Sequence, residues 1–181
     1  MLSLAIIWNS AYQFKNQIIS DMNKYGTVLG NCDILFSSDQ EYSKFVYDVY
    51  FQENMEKWKI DKKLAHMLVS NSSRSVNVVF MDVDITKTEY HPQKKILVYK
   101  DLNDLKVNIR DYYSQYINNY CFDIVIHATD DEKEFSQGYK LIRNYLKDWE
   151  ELKQIPQIIQ CDEGYQLKKT FIQSKVGNTD E

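Results

Sequence analysis

A histidine closes an apolar run in the segment FDIVIHATDDEKEF, which spans residues 122–135. Imidazole can act as a nucleophile or as an acid and base near neutral pH. In open α/β sheets, the carboxyl ends of the strands form the usual ligand crevice. His127 is therefore the first candidate for a catalytic residue.

The residues after this histidine are equally typical of an ordinary helix start. Thr129 and Glu132 have the Thr-x-x-Glu spacing of a capping box, and Asp130 and Asp131 suit the positive end of a helix. Asp130 and Glu134 lie four positions apart, so two carboxylates on one helical face could hold a divalent ion such as Mg²⁺. The simpler interpretation is a pair of solvated acids at a helix terminus.

A second pair of acids alternates along the segment FMDVDI. On a strand, Asp82 and Asp84 point to the same face, as the metal-binding aspartates of nucleotidyltransferases do. The Gly-Ser helix start that should precede such a strand is missing, and residues 71–73 are Asn-Ser-Ser. We favour a half-solvated strand with Val83 and Ile85 in the core, and metal-dependent nucleotidyl transfer is the weaker alternative.

Lys63 and His66 lie three positions apart in a segment with helical periodicity. This spacing puts both side chains on one face of a helix, where they could contact an anionic substrate. A partly exposed Lys-His pair is also commonplace on protein surfaces. The pair is therefore a secondary candidate for substrate binding.

Hydrophobic periodicity predicts alternating strands and helices. The predicted strands are residues 2–8, 32–36, 76–85, 96–99 and 122–127. The predicted helices lie within residues 12–25, 39–50, 53–70, 101–116 and 130–152. This order contains the β-α-β-β-α-β series of ferredoxin-like domains. It predicts one α/β domain, an α+β sandwich, over residues 1–155, with a helical insertion and a C-terminal extension over 156–181 whose tail frays.

Composition narrows the class of protein. A length of 181 residues with 44% hydrophobic residues predicts a single ordered core. A formal charge of −4 leaves no general attraction to nucleic acid or to an anionic membrane. The three cysteines form no Cys-x-x-Cys pair, and no apolar segment has the length of a membrane span. We expect a cytoplasmic protein without nucleic-acid or membrane partners, and self-association stays open.

The segment IVIHATDDEKEF resembles the His-Gly-Ser-Asp segment of nucleoside diphosphate kinases, which closes a core strand and opens the last long helix. Other features agree over roughly residues 2–149: an apolar first strand that feeds a helix, Tyr50 in a helix after the second strand, and Ile109-Arg110 upstream of the histidine. The resemblance implies a ferredoxin-like fold and a histidine that carries a transient phosphoryl group. The implied partner is a nucleotide or another phosphorylated small molecule.

The resemblance also assigns roles to single residues. It implies that His127 is the phosphoryl acceptor, Thr129 its hydroxyl neighbour, Asp130 the acid that follows and Arg110 a phosphate-binding cation. Lys63 and His66 fall in the segment where that family gathers part of its nucleotide pocket, and they complete the set of substrate-binding candidates. The leading hypothesis is therefore a divergent nucleotide-binding phosphotransferase with a phosphohistidine intermediate.

Three departures from the family's pattern favour an alternative. Trp8-Asn9-Ser10 stands where the family has Lys-Pro-Asp, Ile124 stands in place of an asparagine, and Ala128 replaces a glycine. The alternative is a relative that has lost catalysis and serves as a binding or assembly module. Acids also surround the histidine, so phosphoryl transfer requires a compensating cation, either a metal or Arg110 together with Lys63.

Overall fold

The computed structural model describes residues 1–92 and 95–146, so the predicted extension over residues 156–181 lies outside them. Met1–Tyr145 forms one compact unit. The strands are β1 (Leu2–Ile7), β2 (Gly26–Leu35), β3 (Ser75–Val83), β4 (Thr88–His91), β5 (Ile96–Tyr99) and β6 (Ile126–Ala128). The helices are α1 (Lys15–Met22), α2 (Asp39–Phe51), α3 (Lys57–Ser70), α4 (Lys100–Ser114) and α5 (Glu132–Tyr145), with a 3₁₀ helix at Asn9–Phe14 before α1.

Four strands form an antiparallel sheet in the order β2-β3-β1-β6. The central strands β1 and β3 bury almost every residue whichever way it points, so the sheet is covered on both faces. Asp82 is the exception in β3 and is exposed. β6 pairs with β1 and is an edge of the sheet in the described part of the chain.

Helices pack against the sheet on two sides. Leu4 and Ile6 of β1 contact the same small cavity as Val49 of α2 and Ile142 of α5, so α2 and α5 cover that face. α1 and α4 contact each other and pack on β2 and β6. β4 and β5 form a separate hairpin beside α4. Over the residues described, no helix combines the length and apolar character needed to span a bilayer.

The mixed α/β class and its sandwich of helices and sheet are confirmed. Along the chain, β1, α1, β2, β3, α4 and β6 follow the order β-α-β-β-α-β, with α2 and α3 inserted between β2 and β3. The ferredoxin-like assignment stays a prediction, and this order is compatible with it.

The strand that carries the histidine is shorter than predicted. Ile124 and Val125 are fully buried, but the strand comprises only Ile126–Ala128. Phe122 and Asp123 have φ angles of +52° and +57°, in the left-handed region, which a β-strand cannot contain. The apolar run therefore enters the core as an irregular segment and pairs with β1 only at its end.

Asn9 is fully buried and links the 3₁₀ helix to α2, to α3 and to the segment just before β3. Its side-chain amide donates to the carbonyls of Met67 at 3.0 Å and Ser73 at 3.1 Å, and its side-chain oxygen accepts from the Tyr42 hydroxyl at 2.8 Å. Replacing Asn9 by alanine would remove all three of these hydrogen bonds.

We expect Asn9→Ala to lower the free energy of unfolding by about 2–4 kcal/mol, because it removes three hydrogen bonds that each contribute roughly 0.5–1.5 kcal/mol. Urea denaturation measures the change. Asn16→Ala is the matched control, since Asn16 is exposed on α1, and its effect should stay within about 0.5 kcal/mol. Equal effects of the two substitutions would contradict this account of Asn9.

Candidate functional site

A cleft of about 490 Å³ lies along the edge strand β6. It is lined by the end of α2, by α3, α4 and β6, and by one side of the β4–β5 hairpin. Its lining includes four basic residues and three acidic ones: Lys59, Lys63, Lys106 and Arg110, and Glu53, Asp123 and Asp130. Two histidines, His91 and His127, also line it. The cleft is therefore net positive by one charge in a chain whose formal charge is −4.

His127 lies on β6 with only 7% of its surface exposed. Its Nε2 atom lies 3.0 Å from Oε1 of Glu53, and its ring meets the Tyr50 ring edge-on at 5.7 Å between centroids. A carboxylate at Nε2 favours the tautomer with the proton on that nitrogen. Within the described part of the chain, the opposite ring nitrogen, Nδ1, makes no hydrogen bond.

Glu53 is a site residue that the sequence does not reveal. It follows α2 and lies 74 positions before His127, so no local spacing links the two. The pairing arises because α2 packs over the face of the sheet that carries His127. Only knowledge of this packing could have revealed the His–Glu pair.

Arg110 lines the same cleft as His127, and its role in phosphate binding stays a prediction. Its Nε and one terminal nitrogen both donate to the carbonyl of Ile126 at 3.0 Å. Another guanidinium nitrogen lies 3.7 Å from the carboxylate of Asp123. The backbone contact fixes the guanidinium beside the residue that precedes His127 in the chain.

Lys63 is the second predicted cation that lies in the cleft. Its ammonium group donates to the carbonyl of Phe122 and lies 4.9 Å from the centre of the Tyr50 ring. Burial lowers the pKa of Lys63 to about 8, and Asp123 partly opposes this shift. Lys63 and His127 therefore both contact Tyr50 from the same cleft.

The structure adds a third cation, Lys106, which forms a nearly buried ion pair with Asp130. Asp130 lies before the first residue of α5, so it does not share a helical face with Glu134. The Glu134 carboxylate accepts from the backbone N–H of Asp130 at 2.7 Å. These engagements make the predicted Mg²⁺ ligands poor candidates for a shared ion. The described residues contain no group of three His, Cys, Asp or Glu side chains that could hold a metal.

The predicted capping box at Thr129 is wrong. The Thr129 hydroxyl accepts from the backbone N–H of Leu4 at 3.1 Å and pairs with Ser3, which fastens β6 to β1. Asp131 caps α5 instead, by accepting from the N–H of Glu134 at 2.7 Å. Thr129 is buried behind the cleft and does not line it.

The remaining candidates lie away from the histidine. His66 contacts the carbonyl of Asn119 at 2.9 Å and does not line the cleft, although Lys63 on the same helix does. Asp82 pairs with the N-terminal amine of Met1 at 2.7 Å, and Asp84 is exposed beyond β3. Val83 is buried between them, as the strand interpretation predicts.

No protein-family model matches the chain, and a search of curated proteins finds no significant match. The nucleoside diphosphate kinase resemblance therefore stays a prediction.

We expect the affinity of the cleft for an anion to fall as the pH rises through about 8, because Lys63 loses its positive charge there. The pKa of Lys63 in the folded protein lies below its ordinary value of 10.5, so most Lys63 side chains are charged below pH 8 and most are neutral above it. Calorimetric titration with ADP from about pH 7 to about pH 9 should show a loss of roughly tenfold. Lys63→Arg, whose guanidinium stays charged, should remove most of this dependence. An unchanged affinity of the native protein across pH 8 would contradict the role of Lys63.

Proposed function

We propose that the protein binds a nucleotide or a similar phosphate ester in the cleft and transfers its terminal phosphoryl group through His127. The observation that carries the proposal is the His127–Glu53 pair inside a cleft that gathers four cations. A nucleophilic histidine needs a fixed tautomer, and a transferred phosphoryl group needs positive charge around it.

The transfer is a substitution at phosphorus. The Nδ1 lone pair of His127 forms the N–P bond, and the P–O bond to the leaving group breaks with its electron pair. The leaving nucleoside diphosphate carries that pair as an oxyanion, and Glu53 stabilises the proton that remains on Nε2. An oxyanion of a second diphosphate then attacks the same phosphorus and restores neutral His127.

The cations supply the charge compensation that the acidic sequence around His127 requires. Arg110 is anchored to the carbonyl of Ile126, and Lys63 to the carbonyl of Phe122. Arg110 also lies 3.7 Å from the carboxylate of Asp123, which is half exposed, whereas Lys106 forms a nearly buried ion pair with Asp130. The charges of Arg110 and Lys63 are therefore less fully balanced within the protein than that of Lys106, and phosphate oxygens can bind them. We assign Arg110 and Lys63 to phosphate binding and Lys106 to positioning Asp130 at the rim.

Aromatic residues beside the cations favour a nucleotide among phosphate esters. Phe122 lines the cleft, Trp58 meets its ring at 6.4 Å between centroids, and the Lys62 ammonium lies 4.6 Å from the ring centre. A planar base can stack on such rings with little regard to its identity. Because Asp130 and Glu134 do not fit a metal site, the proposal contains no step through Mg²⁺.

A second function, binding without transfer, is favoured by one observation. Lys63, Lys106 and Arg110 all contact protein groups already, so the cleft is well ordered without any reacting partner. In this alternative, the protein binds the phosphate ester and its role lies in assembly with another molecule. Nucleotidyl transfer by Asp82 and Asp84 stays the weaker alternative, and neither residue lines the cleft at His127.

Incubation with labelled nucleoside triphosphates tests the proposal. We expect an acid-labile, base-stable phosphoprotein, which is the stability pattern of a phosphohistidine. Discharge of the label by an unlabelled nucleoside diphosphate would complete the transfer. A thermal-shift assay measures nucleotide binding as a rise in the melting temperature. Such a rise without any labelled phosphoprotein would favour the alternative of binding alone.

A further inference from the structure

A second groove, of about 560 Å³, separates α1 from α4. We call it the tyrosine groove, and six residues define it: Asp21, Lys24, Tyr25, Asn108, Tyr112 and Tyr113. It shares no lining residue with the cleft at His127, although α4 borders both. Its size is within the range of small-molecule sites, which is roughly 300–1,000 Å³.

Two hydrogen bonds join the walls of the groove. The Tyr113 hydroxyl on α4 donates to Oδ2 of Asp21 on α1 at 2.8 Å. The Asn108 amide on α4 donates to the hydroxyl of Tyr25, just after α1, at 2.7 Å. These bonds use the hydroxyl edges of two tyrosines and fix their positions. The groove is therefore built by contacts within the protein before any ligand enters.

The groove already holds a cation. The Lys24 ammonium lies 2.6 Å from Oδ1 of Asp21, and the Lys24 side chain is 72% exposed. This hydrogen bond is the first cause of the lowered pKa of the Asp21 carboxylate. Exposed ion pairs contribute little to stability, so an external cation can replace this ammonium at small cost.

Two tyrosines of α4, Tyr112 and Tyr113, line the groove together with Asp21. Tyr112 is 55% exposed and meets Tyr113 edge-on at 4.9 Å between centroids. Phe14 packs against Tyr113 at 5.6 Å and supports it from below the surface layer. Tyr112 also packs against Tyr116 at 5.8 Å between centroids, and its exposed ring can be approached by a ligand cation.

We propose that the tyrosine groove is a binding site for an organic ammonium ion, with Asp21 as the counter-ion and the tyrosines as its aromatic wall. Aromatic rings next to a carboxylate form the arrangement that recognises alkylammonium groups. The groove is much larger than one ammonium group, so the ligand carries further atoms along α1 and α4.

Calorimetric titration of the full chain with three probes tests the proposal. Choline presents a quaternary ammonium, N-acetyl-lysine amide presents a primary one, and 3,3-dimethylbutanol is the neutral isostere of choline. We expect at least one ammonium probe to bind and the neutral isostere to bind at least tenfold more weakly. The stronger of the two ammonium probes shows whether the natural source is a methylated headgroup or a lysine-like amine.

Substitutions then test whether the probe binds beside Asp21 and Tyr112. Lys24→Gln removes the internal cation and should tighten probe binding several-fold. Asp21→Asn should weaken it at least tenfold, and Tyr112→Ala, at an exposed position, should weaken it without loss of the fold. His127→Ala should leave it unchanged, so failure of the phosphotransfer proposal is distinguishable from failure of this one.

Three results would overturn the ammonium site. One is the absence of binding of both ammonium probes to the native chain and to Lys24→Gln. Another is equal binding of choline and its neutral isostere. The third is an affinity that neither Asp21→Asn nor Tyr112→Ala changes.

Discussion

Replacement of His127 by alanine is expected to abolish formation of the phosphoprotein. The labelled protein should fall by at least about 10³-fold, because the substitution removes the nucleophile that forms the N–P bond in the proposed mechanism. Nucleotide affinity should change little, since Arg110 and Lys63 stay in place. Single-turnover labelling and calorimetric titration separate the two effects.

Two further histidines provide matched controls. His91 lines the same cleft, so His91→Ala should alter nucleotide affinity and leave labelling intact. His66→Ala should affect neither, because His66 contacts the carbonyl of Asn119 outside the cleft. His127→Asn retains a polar side chain on β6, and it tests whether loss of label in the alanine variant reflects loss of the fold. Persistent label in a folded His127→Asn protein would rule out the proposed nucleophile.

Glu53→Gln is expected to lower the turnover of phosphoryl transfer by roughly 10- to 100-fold, while the KM for the nucleotide stays nearly constant. The amide keeps the size of the side chain but removes the negative charge at 3.0 Å from Nε2 of His127. The imidazole then loses its preference for one tautomer, and the proton that remains on Nε2 during transfer is less well stabilised. Glu53 is thus a positioning residue that acts through His127.

A structural role alone would give a different pattern. Nuclear magnetic resonance of isotope-labelled imidazole nitrogens should show the proton of His127 on Nε2 in the native protein and a mixture of tautomers in Glu53→Gln. Glu53→Asp, which keeps the charge, should restore part of the turnover. If both substitutions lower turnover equally and the tautomer does not change, the orienting role of Glu53 is wrong.

Sequence periodicity predicted the elements whose signal is local. Helix α2 begins at residue 39, as predicted, and the Ser38 hydroxyl caps it by accepting from the N–H of Glu41 at 3.2 Å. The apolar run at β3 also lies where predicted, with Asp82 facing solvent. β2 is longer than its predicted residues 32–36, because pairing with β3 extends it back to Gly26. That extension depends on a partner strand some fifty positions away along the chain, which local pattern does not contain.

The sequence predicts a site residue only where a local motif or the family resemblance indicates it. His127, Arg110, Lys63 and Asp130 do line one cleft. Glu53 and Lys106 were missed, since each joins the site through packing of a helix against the sheet. Thr129 was assigned to the helix cap, but β1 offers it the N–H of Leu4, and pairing of strands took precedence over the local capping motif.

A crystal structure with a non-hydrolysable nucleoside triphosphate tests the central claim most directly. The account predicts the terminal phosphorus about 3–3.5 Å from Nδ1 of His127, in line with the leaving oxygen, with Arg110 and Lys63 on the phosphate oxygens. Phosphates bound elsewhere on the protein, or bound in the cleft with Nδ1 turned away from phosphorus, would contradict it.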